Sequence, residues 1–142
     1  MKENDTNSST CSVAESQNKA VLRKKTHGDA EEKIMVVCGT DRLGFGDDEL
    51  GLKLMINFLR TLKEIGDNLW RLVFVNNGVK LTIEGSEVLG DLKTYESAGL
   101  KILVCGTCLN HFNLSEKKKV GETTNMVDIV TSMQLADKVI SM

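Results

Sequence analysis

From residue 33 onward the chain alternates short apolar runs with longer segments in which apolar residues recur every three or four positions. This is the pattern of strands alternating with helices around a parallel sheet. The run Ile34-Met35-Val36-Val37-Cys38 has no polar position, as a strand covered on both faces requires. A glycine-rich loop from Gly39 to Gly46 follows. Asp47-Asp48-Glu49 then supply the cap and acidic first turn of a helix expected from about Asp48 to Ile65, with Leu50, Leu54, Met55, Phe58, Leu62 and Ile65 on one face and Gly66 as its left-handed stop. A second strand, Trp70 to Val75, ends in the turn signal Asn76-Asn77-Gly78, and Val79 to Ile83 reads as a short extended piece. Ser86 is expected to cap a helix carrying Val88, Leu89, Leu92 and Tyr95, closed by Gly99.

Leu100 to Val104 reads as the third clear strand, with Cys105 at its carboxyl end. Thr107 is expected to cap a short helix reaching about Asn113. Thr123 or Thr124 is expected to cap another that turns Met126, Ile129, Val130 and Met133 inward, before a last strand Lys138 to Ser141. Right-handed strand–helix–strand connections place helices on both faces and gather the functional loops at the strand carboxyl ends, where Cys38, Asn76 and Cys105 stand.

Residues 1 to 32 break this pattern. Their apolar residues are Met1, Cys11, Val13, Ala14, Ala20, Val21, Leu22 and Ala30, with no aromatic among them, too little to offset the entropy of ordering the segment. The reading is a flexible polar tail over 1–32 and one α/β domain over 33–142. The length of 142 residues accommodates one domain with a core of its own, and the 41% hydrophobic content is that of an ordinary globular chain. A formal net charge of −2 gives no bulk electrostatic reason to bind nucleic acid or an anionic membrane. Ile34 to Cys38 is the longest wholly apolar run, far short of the roughly 20 residues of a membrane span, and the polar first residues hold no signal-peptide core. The cytoplasm is therefore the expected location, and in that reducing compartment the cysteines at 11, 38, 105 and 108 read as reactive, metal-binding or buried rather than as a disulfide framework.

The strongest chemical signal is Cys105-Gly106-Thr107-Cys108. A cysteine at a strand end that faces the first turn of a helix meets free backbone N–H groups, which favour thiolate over thiol and make a nucleophile. Gly106 allows close approach of a substrate to the backbone, and Thr107 offers a hydroxyl. The plainer alternative is that Cys105 is a small buried apolar residue. Cys105, Cys108 and His111 also have the spacing of metal ligands, but a structural zinc needs a fourth, and the remaining candidates, Cys38, His27 and Cys11, would make an unusual set. No metal and no cofactor is expected. The absence of proline argues against a thioredoxin fold, which holds a cis-proline opposite its Cys-x-x-Cys. The Gly39 to Gly46 loop lacks the Lys-Ser/Thr of a P-loop and runs into acidic residues, so it reads either as a tight strand-to-helix turn or, through Gly44 and Gly46, as a wall of the cysteine pocket. Lys117-Lys118-Lys119 reads as a solvated patch.

With these residues in view, 33–142 resembles the DsrE/DsrF-like family, and within it the carboxyl-terminal domain of YedF-type, sulfurtransferase-like proteins of selenium metabolism. The resemblance rests on Gly44-Phe45-Gly46-Asp47-Asp48-Glu49-Leu50-Gly51, on Asn76-Asn77-Gly78-Val79-Lys80-Leu81 with Glu84-Gly85-Ser86, on Cys105-Gly106-Thr107-Cys108-Leu109, and on Val120-Gly121-Glu122 with Thr124-Asn125-Met126. It implies a three-layer α/β/α domain on a mainly parallel five-stranded sheet, assembled into homo-oligomers such as trimers or hexamers. It also implies that Cys105 stands where relatives carry a persulfide, with Cys108 part of the YedF-like motif. Relatives of that type carry an amino-terminal sulfur-carrier module with a Cys-Pro dipeptide. This chain has no proline, and Cys11 is a poor replacement, so a relay partner would be another protein.

Three functions follow as expectations. The first is a persulfide or perselenide carrier, with Cys105 as the reacting thiolate, Gly44, Gly46, Asn76, Gly106 and Thr107 shaping its pocket, and Cys108 releasing the sulfur. The second is a dithiol oxidoreductase cycling Cys105 and Cys108. The third is an oligomeric module that binds a small anion without catalysis.

Overall fold

The computed structural model describes residues 31–142. The expected amino-terminal tail, with Cys11 and His27, lies outside the described residues. The elements in chain order are β1 (Ile34–Cys38), α1 (Asp48–Thr61), β2 (Leu69–Phe74), α2 (Leu89–Ser97), β3 (Lys101–Cys105), α3 (Gly106–His111), β4 (Glu122–Thr124), α4 (Met126–Leu135) and β5 (Lys138–Ser141). The five strands form one sheet in the order β4-β3-β2-β1-β5, every adjacent pair parallel. This is the α/β architecture that the DsrE/DsrF resemblance implies.

The strand order fixes where the connections run. From β1 to β2, β3 and β4 the chain steps in one direction, then returns across the whole sheet to β5. Right-handed crossovers therefore put α1 and α2 on one face and α4 on the other. Contacts agree. Tyr95 on α2 donates its hydroxyl proton to the carbonyl of Leu59 on α1 at 2.6 Å, and Arg60 pairs with Asp91 at 3.1 Å. On the other face, Arg71 of β2 donates to the hydroxyl of Ser132 on α4. The core between these layers is built from Phe74, Met35, Met55, Leu59, Leu72, Leu92, Ile102 and Ile129, all fully buried. Each contributes about 1.5–3 kcal/mol through burial.

Several local expectations need correcting. The α-helix after β1 stops at Thr61, and Leu62–Asn68 continues as 3₁₀ turns through Gly66, whose φ of 70° and ψ of −143° are not those of a left-handed helical stop. Its buried stripe is Gly51, Met55, Ile56 and Leu59, while Leu50 and Leu54 face outward. The helix carries two apolar stripes. The one containing Gly51 packs inward because there the helix approaches the preceding loop so closely that a Cβ would lie 3.0 Å from Arg42 Cβ. In α4, Ile129 and Ser132 are buried whereas Met126, Val130 and Met133 are exposed. The polar Ser132 faces the sheet because Arg71 needs an acceptor there. The cap of α4 is Asn125, which accepts from the Asp128 N–H at 2.9 Å, rather than either threonine before it.

Ser86 does not cap α2: the chain turns there, and the helix begins at Leu89 with no side-chain cap. Cys105, not Thr107, occupies the cap position of α3, again without a side-chain bond. Asn76–Thr82 forms 3₁₀ turns rather than an extended piece, held by the Thr82 hydroxyl on the Val79 carbonyl at 2.7 Å. The fifth strand is instead the short, polar Glu122–Thr124 at the sheet edge.

Candidate functional site

Two connections that leave adjacent strands for opposite faces open a crevice at the strand carboxyl ends, where ligands of open α/β sheets bind. Here those strands are β3 and β4, and Cys105 ends β3 in register with Thr124 of β4. Gly106 follows directly, and a Cβ on it would lie 3.0 Å from Thr123 Cγ2 and 3.3 Å from the Thr124 carbonyl. Its glycine identity thus answers to β4 packing against the turn.

The turn after Cys105 enters α3 at once, which brings Cys108 back near enough for Cys105 to act on its thiol. Cys108 also receives the backbone N–H of Asn76 at 3.1 Å. That N–H is aimed by an unusual backbone, since Asn76 has φ of 51°, a left-handed conformation that asparagine tolerates better than most residues. The next glycine locks the turn in place. A Cβ on Gly78 would lie 2.1 Å from the Cys38 carbonyl oxygen, the same oxygen that accepts the Val75 N–H at 3.0 Å. The ends of β1, β2 and β3 are thereby tied into one constellation.

The electrostatics separate the cysteines. Burial pushes the Cys108 thiol up, and its hydrogen bond with Cys105 and the charge there push the same way; only the Asn76 N–H draws it down. Cys38 is fully buried with no compensating donor, and its thiol is pushed up to about 12. Access runs against the sequence expectation that Cys105 is both activated and open. Cys105 is 3% exposed, and Cys108 is the more accessible sulfur.

Of the other expected pocket residues, Thr107 sits exposed on α3 beside the cysteines in sequence. The glycine loop goes elsewhere. Gly44 lines a cavity of about 380 Å³ with Gly39, Thr40, Arg42, Leu43, Phe45 and Met142, a lining that includes neither Cys105 nor Cys108, and Gly46 is not part of it. The loop belongs to the β1 end, where Gly39 donates to the Met142 carbonyl. His111 is exposed at the end of α3 and packs edge-on against Phe112 at 5.0 Å. Among the described residues no three His, Cys, Asp or Glu side chains converge as metal ligands. Gly78 was legible only as a turn residue, though the Asn-Asn-Gly run was its signal.

No family model matches the sequence, and no curated protein matches it. Solved structures do. The YchN protein of E. coli superposes with a TM-score of 0.60 at 21% identity, over 78% of this chain and 99% of its own. MTH1491 of Methanobacterium thermoautotrophicum, a protein of unknown function, superposes with a TM-score of 0.59 at 18% identity over the same shares. The likeness is one of fold.

Proposed function

We propose that this protein is a persulfide or perselenide carrier, sulfurtransferase-like in its chemistry, whose working unit is the Cys105/Cys108 pair. The observation that carries the reading is that Cys105 and Cys108 lie near each other at the β3 carboxyl end, with the Asn76 N–H on the Cys108 sulfur. A carrier needs a thiolate that attacks the outer sulfur of a donor persulfide, forming one S–S bond as the donor's breaks and its thiolate leaves. Cys105 is the storage sulfur in this reading: its burial shields a persulfide from stray thiols. Discharge reverses the exchange, with a nucleophile of the acceptor taking the outer sulfur.

A cytoplasmic sulfur-donor protein is the partner in this reading, and a homo-oligomer such as a trimer is the assembly. No helix among the described residues is long and apolar enough to cross a membrane. Self-association is supported by α4, which leaves Met126 and Val127 59% and 74% exposed beside Val130 and Met133. Contiguous apolar surface of this kind marks contact sites.

Sulfur loading by a cysteine desulfurase with cysteine tests the site. Cys38→Ala should load like the parent, whereas the Cys105→Ser/Cys108→Ser double variant should not. Loading of the double variant would remove the pair from the mechanism. The same proximity also favours a second reading, a dithiol that cycles through a Cys105–Cys108 disulfide, which would register as loss of two hydrogens instead of gain of sulfur.

A further inference from the structure

The carrier reading leaves open how sulfur reaches a cysteine that is 3% exposed. Cys108, the neighbouring thiol, is the partly exposed one of the two. Its remaining polar contact is the Asn76 N–H at 3.1 Å, delivered by a backbone in the left-handed region and braced through Gly78 against β1. A backbone donor held rigidly on a sulfur stabilises that sulfur as an anion, which is what a leaving group in thiol–disulfide exchange requires.

We propose that the pair is an ordered internal relay: sulfur is accepted at Cys108 and then passed to Cys105, with the Asn76 N–H stabilising the Cys108 thiolate that departs. In the first step the Cys108 sulfur, having lost its proton to solvent, attacks the outer sulfur of a donor persulfide. A bond forms from Cys108 to that atom, and the donor leaves as its thiolate. In the second step the Cys105 sulfur, having lost its proton to solvent, attacks the same outer sulfur. The new Cys105–sulfur bond forms as the Cys108–sulfur bond breaks, and the electron pair returns to Cys108. No oxidant or reductant is consumed.

The second step has a direction for physical reasons. The Asn76 N–H stays on the Cys108 sulfur as that sulfur departs. The product also sits in the more buried of the two positions, where outside thiols reach it least. Exposure and donor geometry thus assign entry to one cysteine and storage to the other.

This relay rests on the carrier reading, and its test separates the two. The full-length protein is mixed with glutathione persulfide, quenched at intervals with an alkylating agent and mapped by peptide mass. Persulfide should appear first on Cys108 and then on Cys105, with a lag. Cys108→Ser should slow loading of Cys105 by about tenfold or more, and Cys105→Ser should still load Cys108 but lose the sulfur faster to added thiol. Persulfide on Cys105 without a lag, or parent-rate loading of Cys105 in Cys108→Ser, would overturn the relay while leaving the carrier reading intact. The lag in the parent protein requires no substituted chain to fold. Failure of either cysteine to gain sulfur would overturn both.

Discussion

Asn76 donates its backbone N–H to the Cys108 sulfur at 3.1 Å, across the gap between the ends of two neighbouring strands. The bond depends on backbone conformation, not on the asparagine side chain, and that makes it testable. Asn76→Gly keeps the left-handed conformation and should leave the alkylation rate of Cys108 unchanged. Asn76→Val resists that conformation by roughly 1–2 kcal/mol and swings the N–H away. Loss of a hydrogen bond worth about 1.5 kcal/mol to a thiolate should slow alkylation of Cys108 about tenfold near pH 9. Equal rates in the glycine and valine variants would show that the N–H does not tune the sulfur.

Gly78 is the brace of that turn. Its missing Cβ leaves room for a backbone carbonyl at 2.1 Å from where the Cβ would be, and a backbone atom cannot rotate aside as a side chain can. Gly78→Ala is expected to cost about 3 kcal/mol of stability, read as a lower urea midpoint, because the end of β2 must move off β1. An unchanged midpoint would mean the strand ends are not packed as described.

Cys38 gives the fold a pH dependence of definite sign. Its thiol is raised from the ordinary 9.0 to about 12 by burial, so above pH 9 the unfolded chain releases a proton that the folded chain keeps. Its contribution to stability is therefore full below about pH 9 and falls by roughly 1.4 kcal/mol per pH unit until about pH 12. Urea unfolding at pH 8 and pH 10.5 should show a steeper loss in the parent than in Cys38→Ala. Parallel losses would place the alkaline sensitivity elsewhere.

The exposed side of α4 yields a prediction about assembly. If Val127 and Val130 meet a second copy, Val127→Glu/Val130→Glu should convert the oligomer to a monomer in light scattering without changing the helical signal. A parent protein that is already monomeric at micromolar concentration would remove the interface.

The sequence carried four of the five strands well: Ile34–Cys38 and Lys138–Ser141 have the expected bounds, and β2 and β3 shift by a single residue. It carried helix faces poorly. Both α1 and α4 have more apolar positions than the sheet can cover, and the choice between stripes is made by long-range partners, Arg42 for Gly51 and Arg71 for Ser132. β4 was hidden because three polar edge residues have no periodicity to read. At the site, the motif placed Cys105, Cys108 and Asn76 at the carboxyl edge, and the structure brings them together. The ordering of access within the pair was invisible, since burial of one cysteine over the other is set by packing across the fold.

The central claim, that the cysteine pair carries sulfur, is tested most directly by the intact mass of the parent protein after incubation with a cysteine desulfurase and cysteine. The account predicts a gain of one sulfur atom that is removed by excess dithiothreitol and that maps to the peptide containing Cys105 and Cys108. An unchanged mass, or loss of two hydrogens with no sulfur gained, would contradict it.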